Sequence, residues 1–305
     1  MRILLLGGTR FIGRRVAARL LTEHDVTLLN RGTDPLWDRD LRRITVDRDE
    51  AADTAEALSG GFDVLVDISG ARPGHLAGTL GFAGRYIYLG SAAVYDREAS
   101  GFPFREDDPA DGDPVWGDYG RDKAACEKLL RDAYGERLTV LRPPYVYGPF
   151  NNEPRESFVW ARLLRGETVL VPGDGDRLVQ FCHVDVLAEV VAAAVAERLD
   201  PGTYNVAEST PYSFAGWVGV LARAAGVEAR MSPVDDPKVP ARDYFPFRDV
   251  DLVLDTSRID AAGVLPYVPL PLGAARTFAW FEQNGGLAYE PTAYERKTMR
   301  RGSWR

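Results

Sequence analysis

The chain has 305 residues, a hydrophobic fraction of 45% and a formal net charge of −8. This length accommodates one large domain, or a large domain and a smaller one. The negative net charge gives no electrostatic support to the binding of a nucleic acid. No apolar run is long enough to span a bilayer, and the run at residues 3–6 is too short for a secretory signal. The two cysteines, Cys126 and Cys182, cannot form a disulfide framework, so we expect a cytoplasmic protein without a membrane or nucleic-acid partner.

The first half of the sequence alternates short apolar runs with helical patterns. Strands are predicted at residues 3–6, 26–29, 44–46, 64–68, 85–89 and 138–141, and helices at 11–21, 51–58, 74–82 and 118–134. Apolar strands that alternate with helices are typical of βαβ units and of a parallel sheet covered on both faces. With right-handed crossovers, the expected fold is α/β, with a Rossmann-type doubly wound parallel sheet.

The composition changes after about residue 148, where proline and glycine become frequent between isolated helical patterns at 157–164, 184–197 and 214–225. We predict a dinucleotide-binding domain over residues 1–150 and a smaller, mainly substrate-binding C-terminal lobe over 151–305. Residues 177–207 are expected to return to the first domain with a helix and a strand at 204–206.

The segment GGTRFIG at residues 7–13 lies between the first predicted strand and the first predicted helix. Glycine permits a tight turn and lets the backbone approach a phosphate, while the helix N-terminus presents free N–H groups. The position at the first strand–turn–helix junction favours a dinucleotide site over a tight connection without a ligand. The candidate turn residues are Gly7, Thr9, Arg10, Phe11, Ile12 and Gly13.

The end of the second predicted strand bears on the choice between NAD and NADP. An acidic residue there would hydrogen-bond the ribose 2′-hydroxyl of NAD, but the sequence has Asn30 and Arg31. Arg10 in the glycine turn adds a second cation. Two cations favour a ribose 2′-phosphate, so we predict NADP in preference to NAD. The alternative is that the arginines cover the adenine or face solvent.

A tyrosine and a lysine four residues apart form the candidate catalytic pair. Tyr119 and Lys123 lie on one face of a predicted helix for which Asp118 is the expected N-cap. A neighbouring ammonium favours the phenolate, which can exchange a proton with an alcohol or ketone. The alternative is an ordinary exposed pair. Ser91, just after the predicted strand at 85–89, could hydrogen-bond the reacting oxygen from the carboxyl edge of the sheet.

These motifs together resemble the extended short-chain dehydrogenase/reductases, also called the NAD-dependent epimerase/dehydratase family. The resemblance rests on the 7–13 turn, on Ser91 with the following Val94 and Tyr95, and on the Tyr119/Lys123 pair. It also rests on LRPPYVYGP at 141–149 and on GDG at 173–175 before FCHVD at 181–185. The matching segments span most of the chain.

The resemblance implies roles for individual residues. Ser91, Tyr119 and Lys123 take the catalytic roles, Asp47 and Arg48 lie beside the adenine, and Ser69 and Gly70 lie under the cofactor ribose. Pro143 and Val146 lie under the nicotinamide. Candidate substrate contacts are Ala92, Tyr145, Asn151 and Arg177. The resemblance also implies a homodimer through two helices per subunit, here those predicted at 74–82 and 118–134.

Departures from the family pattern narrow the function. Arg10 replaces the usual second glycine of the turn, which resembles a divergent subgroup that includes chloroplast RNA-binding relatives. Ala92 and Ala93 stand where sugar 4,6-dehydratases carry an Asp-Glu pair, so we do not expect a dehydratase. Val179 replaces the arginine that usually contacts a nucleotide-sugar phosphate, although Arg177 could substitute for it.

The predicted function is hydride transfer at a secondary alcohol or ketone of a sugar or sugar-like substrate, with or without a linked nucleotide. Both an epimerase and a ketoreductase use this machinery, and the residues do not identify the substrate. The alternative is a non-catalytic NADP-binding protein that is RNA-associated or redox-sensing. The three histidines at 24, 75 and 183 form no pattern of metal ligands, so we expect no metal.

Overall fold

The computed structural model describes residues 1–38, 41–266 and 268–300, with side chains up to residue 297 in the last range. Two compact units are present. The first comprises Met1–Val146, Phe181–Ser209 and Leu254–Tyr267, and the second comprises Tyr147–Gln180, Thr210–Val253 and Val268–Arg305. Among the described residues, every helix is too short or too polar to cross a membrane.

The strands follow the apolar runs of the sequence. They are β1 (Arg2–Leu6), β2 (Asp25–Asn30), β3 (Arg42–Thr45), β4 (Phe62–Asp67), β5 (Ala83–Leu89), β6 (Leu138–Arg142), β7 (Tyr145–Tyr147), β8 (Val169–Pro172), β9 (Leu178–Val179), β10 (Phe181–His183), β11 (Gly202–Asn205), β12 (Tyr212–Ser213) and β13 (Met231–Val234). The first unit contains a parallel seven-stranded sheet in the order β11-β6-β5-β4-β1-β2-β3. The predicted Rossmann-type α/β fold is therefore confirmed.

The helices alternate with these strands. They are α1 (Phe11–Leu20), α2 (Ala51–Ala57), α3 (Asp118–Tyr134), α4 (Glu156–Leu163), α5 (Val184–Val195), α6 (Phe214–Ala224), α7 (Ser257–Ala261), α8 (Leu270–Asn284) and α9 (Ala293–Arg300). In the first unit, α1 and α5 are joined by side-chain ion pairs, of which Arg15–Asp185 measures 2.6 Å.

The core of the first unit explains why the strand sequences are unbroken apolar runs. Alternate strand residues such as Leu4, Tyr86 and Val140 form a buried cluster with Cys126 and Leu130 of α3. In the central strands β1, β4, β5 and β6 the intervening residues are also mostly buried, so neither face of the middle of the sheet requires polar residues.

The helix predicted at 74–82 was wrong. The structure has one 3₁₀ turn at Pro73–His75, followed by hydrogen-bonded turns. Glycines in this stretch disfavour a helix, and a Cβ at Gly78 would lie 2.6 Å from both the Ala51 carbonyl oxygen and Thr54 Cβ. The turn at 73–82 thus packs against α2, and one of the two helices expected to form a dimer surface is not a helix.

The helix with the candidate catalytic pair, α3, has the predicted bounds, but its N-cap differs. Gly117, with φ of +60°, is the N-cap of α3, and Asp118 is the first helical residue. The Asp118 carboxylate pairs instead with Arg121, one turn along the helix. The predicted N-cap role of Asp118 was therefore wrong.

The second unit has a core of aromatic side chains. The rings of Trp217 and Phe247 lie 4.7 Å apart, and Trp160 contacts Phe278 at 5.2 Å. Strand β8 pairs in parallel with β13, and β9 pairs antiparallel with β12. The helices predicted at 157–164 and 214–225 are confirmed as α4 and α6 within one residue at each end.

Candidate functional site

The glycine turn forms a close junction between β1 and α1. Gly7 and Gly8 have φ values of +109° and +96°, which residues with side chains rarely adopt. A Cβ at Gly13 would lie 2.5 Å from the Gly8 amide nitrogen. The first turn of α1 has no acidic residue, and Arg10 at the N-cap provides no side-chain cap. The helix N-terminus therefore offers its N–H groups and positive dipole end to an anion.

A pocket of about 450 Å³ lies beside this turn in the first unit. It brings together residues from four separate predicted segments and six that were not among the predicted site residues. The predicted members are Gly7, Asn30, Arg31, Asp47, Arg48 and Ser69, and the additional ones include Asp34, Asp49, Arg72 and His75. Because these residues follow neighbouring parallel strands, the carboxyl edge of the sheet positions them.

The two arginines proposed to select NADP have different environments. Arg10 is exposed and donates to Asp34 Oδ1 through Nε at 2.9 Å and Nη2 at 2.6 Å. Arg31, which lines the pocket, forms no ion pair within the part of the chain that the structure describes. The sequence reading overlooked Asp34, although an acid only four residues after Asn30 was a visible signal. Arg10 is thus already neutralised, and Arg31 is the more available cation.

Arg48 is directed into the sheet. Its guanidinium binds Asp67 in a bidentate pair, with Nη2 2.6 Å from Oδ2 and Nη1 3.0 Å from Oδ1. Nη1 also donates to Ser69 Oγ at 2.8 Å. Asp67 was not among the predicted site residues. An aspartate that ends an otherwise apolar buried strand was the signal that could have identified it.

The candidate catalytic helix places its two residues differently. Tyr119 is 48% exposed, whereas Lys123, one turn later, is 5% exposed. Lys123 Nζ donates to the carbonyl oxygens of Gly70 and Leu89, each at 2.7 Å, and lies 4.7 Å from the centre of the Tyr88 ring. The ammonium is therefore held at the ends of β4 and β5, where the sheet edge meets α3.

Ser91 follows β5 and begins a 3₁₀ turn at Ala92–Val94, where its hydroxyl accepts a hydrogen bond from the Ala93 amide at 3.2 Å. A Cβ at Gly120 would lie 2.5 Å from the Ala93 carbonyl oxygen. The glycine after Tyr119 thus lets the first turn of α3 pack directly on the turn that follows Ser91. This contact brings the serine loop and the tyrosine to the same edge of the sheet.

The segment after β6 is tied to the same loop. The Ala92 amide donates to the Pro143 carbonyl oxygen at 3.0 Å. Tyr145 and Val146 follow in β7 and are buried, and the Tyr145 ring lies 6.4 Å from the ring of Trp116. The structure thus connects Ala92 directly to the segment that contains Pro143, Tyr145 and Val146.

The other two candidate substrate residues belong to the second unit. Asn151 is buried and donates through Nδ2 to Glu156 Oε2 at 2.8 Å. Arg177 is held by Asp249 at 2.9 Å and by Asp251 at 3.5 Å. Glu156 and the two aspartates were not anticipated from the sequence. In residues 1–38, 41–266 and 268–300, the structure has no cluster of three or more His, Cys, Asp or Glu residues suited to a metal ion.

Sequence comparison identifies the family to which the chain belongs. The model of the NAD dependent epimerase/dehydratase family matches residues 75–207. A chloroplast stem-loop binding protein of 41 kDa from Arabidopsis thaliana is 31% identical over 271 residues, which are 81% of this chain and 70% of that protein. The chain belongs to this family. The GDP-L-fucose synthase of Escherichia coli (strain K12) is 27% identical over 225 residues, or 66% of this chain and 67% of that enzyme.

Solved structures of the epimerase/dehydratase family have the same fold. A UDP-glucose 4-epimerase from Thermotoga maritima, determined with UDP-glucose, matches with a TM-score of 0.76 at 20% identity, covering 93% of this chain and 99% of that one. The enzyme WbmH of Bordetella bronchiseptica, in complex with NAD+, matches with a TM-score of 0.75 and the same identity and coverage. Family and fold together make this chain an NAD(P)-dependent enzyme of the short-chain dehydrogenase/reductase superfamily.

Proposed function

We propose that this epimerase/dehydratase family member transfers hydride at a secondary alcohol or ketone of a sugar or sugar-like substrate, with Ser91, Tyr119 and Lys123 as its catalytic residues. The observation that carries the proposal is the position of the Lys123 ammonium. It is buried at the carboxyl edge of the sheet, on the helix whose exposed first turn presents Tyr119. An exposed phenol one helical turn from a fixed cation is an arrangement suited to proton exchange with a substrate oxygen.

Each residue then has a distinct task. The phenol of Tyr119 exchanges the proton with the substrate oxygen, and the Ser91 hydroxyl donates a hydrogen bond to that oxygen. Two of the three Lys123 N–H groups bind the carbonyl oxygens of Gly70 and Leu89, which leaves the third for the phenol or the cofactor ribose. When bound, the nicotinamide supplies or accepts the hydride.

The residues around the glycine turn fit a dinucleotide. The uncapped N-terminus of α1 suits a pyrophosphate, and Gly13 permits the close approach of helix and turn. We propose NADP in preference to NAD, with Arg31 as the residue that receives the ribose 2′-phosphate, because Arg10 is already paired with Asp34. Asp47, Ser69 and Gly70 are proposed to contact the adenosine half.

Related enzymes support the substrate class. Besides the GDP-L-fucose synthase, the dTDP-6-deoxy-L-talose 4-dehydrogenase (NAD(P)(+)) of Kitasatospora kifunensis is 26% identical over 77% of this chain and 83% of its own length. Both names describe nucleotide-linked deoxysugars. The proposed substrates therefore include sugars that carry a nucleotide. The proposed preference for NADP favours a ketoreductase over an epimerase.

The test measures turnover with Tyr119→Phe and a matched control. The wild type is incubated with NADPH or NADH and a panel of keto sugars and nucleotide sugars, while cofactor oxidation and sugar products are both followed. Tyr119→Phe should lower kcat by roughly 10²- to 10⁴-fold and still bind NADPH. Tyr134→Phe, on the same helix but bonded to Gly81 and Thr79, should retain wild-type kcat.

The product balance separates the alternatives. Stoichiometric NADPH consumption identifies a ketoreductase, whereas an isomerised sugar without net NADPH consumption identifies an epimerase. A wild-type protein that binds NADPH but turns over none of the sugars, or a Tyr119→Phe variant with undiminished kcat, would overturn the proposed function in favour of a binding protein.

A further inference from the structure

We propose that Asp67, held by Arg48, is a positioning residue for Lys123 and that it acts through the carbonyl group of Gly70. The inference rests on the proposed function, because it assigns a purpose to the lysine of the catalytic pair. Asp67 itself is not a contact of substrate or cofactor, since its side chain is fully buried.

Asp67 orients the backbone that follows β4. Its Oδ1 accepts hydrogen bonds from the amides of Ser69, at 3.0 Å, and Gly70, at 2.7 Å. Both backbone N–H groups of this turn are therefore satisfied by one carboxylate. The turn is folded back on the end of its own strand, and the Gly70 carbonyl oxygen is directed to Lys123 Nζ at 2.7 Å.

The carboxylate is in turn fixed from the other side. Arg48 binds it through two N–H groups, and the Tyr86 hydroxyl donates to Oδ2 at 2.9 Å. Bidentate arginine–carboxylate pairing restricts both the position and the plane of the carboxylate. With five hydrogen bonds and no exposure to solvent, Asp67 is a rigid anchor for the turn at 69–70.

Glycine at position 70 is part of the same device. A Cβ there would lie 2.6 Å from Asp67 Oδ2 and 3.2 Å from Cε2 of Tyr88. The Tyr88 hydroxyl donates to the same Gly70 carbonyl oxygen at 2.8 Å. Any side chain at this position would displace the Asp67 carboxylate or the Tyr88 ring. Either displacement would also move the Gly70 carbonyl oxygen that accepts a hydrogen bond from Lys123.

Asp67 also supplies charge to the buried ammonium. The direct acceptors of Lys123 are two neutral carbonyl groups, so the nearby negative charge comes from elsewhere. Burial alone would raise the pKa of Asp67, but the Arg48 guanidinium and then the Lys123 ammonium hold that pKa below its ordinary value. The carboxylate is thus ionised near neutral pH and stabilises both buried cations.

Arg48 and Ser69 line the pocket of about 450 Å³ beside the glycine turn, while Gly70 contacts the lysine. The same short turn therefore connects the proposed adenosine site to the catalytic ammonium. A change at Asp67 should alter catalysis through Lys123 even though no reacting atom touches Asp67.

The test uses Asp67→Asn, which keeps the size and one acceptor oxygen but removes the charge. We expect kcat to fall by about tenfold to a hundredfold, since a displaced catalytic group loses its alignment. The pH dependence of kcat should also shift, because the ammonium loses its negative neighbour. Arg48→Lys, which retains a cation beside Asp67 but cannot form the bidentate pair, should recover only part of the activity lost in Arg48→Ala.

Glu295→Gln is the matched control. Glu295 is also a buried carboxylate that binds an arginine, Arg162, at 2.7 Å, but it lies in the second unit. Its neutralisation should lower the unfolding midpoint as Asp67→Asn does, while kcat and the pH profile remain those of the wild type. Equal effects of the two variants on kcat and on the pH profile would overturn the inference.

A second readout does not depend on turnover. The chain contains only four lysines, so acylation of each can be followed by mass spectrometry, and the exposed Lys128 on the same helix serves as an internal reference. Asp67→Asn should accelerate acylation of Lys123 relative to Lys128 by about tenfold or more, and Gly70→Ala should do the same. Unchanged Lys123 reactivity in both variants contradicts the inference, whereas a wild type without turnover contradicts only the proposed function.

Discussion

Both units of the chain bury an arginine against a carboxylate, yet the two pairs have different surroundings. In the first unit Arg48 and Asp67 are 2.6 Å apart, with side-chain exposures of 9% and 0%. In the second unit Arg162 and Glu295 are 2.7 Å apart, with exposures of 2% and 6%. Distance and burial do not distinguish the pairs, so the difference lies in what else each carboxylate binds.

Asp67 accepts two backbone amides and a tyrosine hydroxyl at the end of a sheet strand, and that turn contacts Lys123. Glu295 connects α9 to α4 and accepts a hydrogen bond from the Thr292 amide at 2.6 Å. We therefore expect a buried ion pair to affect catalysis only where its remaining hydrogen bonds lead to the proposed site. A pair that joins two helices contributes to packing.

The largest expected difference between the two pairs is in the free energy of unfolding when both residues of a pair are replaced by apolar ones. Arg48→Met with Asp67→Leu leaves two backbone amides and the Tyr86 hydroxyl without acceptors, and should lower the free energy of unfolding by about 4 kcal/mol or more. Arg162→Met with Glu295→Leu should lower it by only about 2 kcal/mol, because apolar replacement of a buried pair is often neutral and the Thr292 amide loses its carboxylate acceptor. Urea denaturation measures both values, and equal losses would show that the pairs are equivalent.

Glu156 in the second unit is a buried carboxyl that is held by the Asn151 amide. Burial raises the pKa of Glu156 to about 7, although the charge of Arg155 and the hydrogen bonds from Asn151 and from the backbone amide of Glu156 act in the opposite direction. The stability that this group contributes is present below its ordinary pKa of 4.5 and is lost as pH rises through about 7. Between pH 4 and pH 8 the loss amounts to about 3 kcal/mol.

Glu156→Gln removes this proton linkage while retaining an amide oxygen for Asn151. The variant should therefore match the wild type near pH 4 and exceed it by about 3 kcal/mol at pH 8, as measured by denaturation at each pH. Parallel stability curves for the two proteins would show that Glu156 does not change its protonation in this range.

The smallest expected effect concerns an exposed ion pair, that of Arg10 and Asp34. Arg31→Ala should weaken NADPH binding by about tenfold, since a hydrogen bond to a charged group contributes about 1.5 kcal/mol, and should leave NADH binding unchanged. Arg10→Ala should change NADPH binding less than threefold, because its charge is already neutralised. Fluorescence titration measures both affinities, and the reverse order would assign the 2′-phosphate to Arg10.

Much of the fold could be predicted because its signals are local. The apolar runs at 3–6 and 138–141 lie within β1 and β6, and α3 has its predicted bounds. The stretch at 74–82 was misread because its apolar residues have helical spacing, while its glycines favour turns against α2. The apolar spacing of this stretch favours a helix and its glycines favour turns, and packing against α2 selected the turns.

The sequence by itself determined the order of strands and helices, the glycine turn, and the four-residue spacing of Tyr119 and Lys123, since each depends on neighbours along the chain. Only the tertiary structure decided the partners of the charges. Lys123 binds Gly70 and Leu89, which are 53 and 34 residues away, and Arg48 binds Asp67, 19 residues away. In a parallel sheet, distant strand ends meet at one edge, and burial there requires every charge to find a partner that no local pattern specifies.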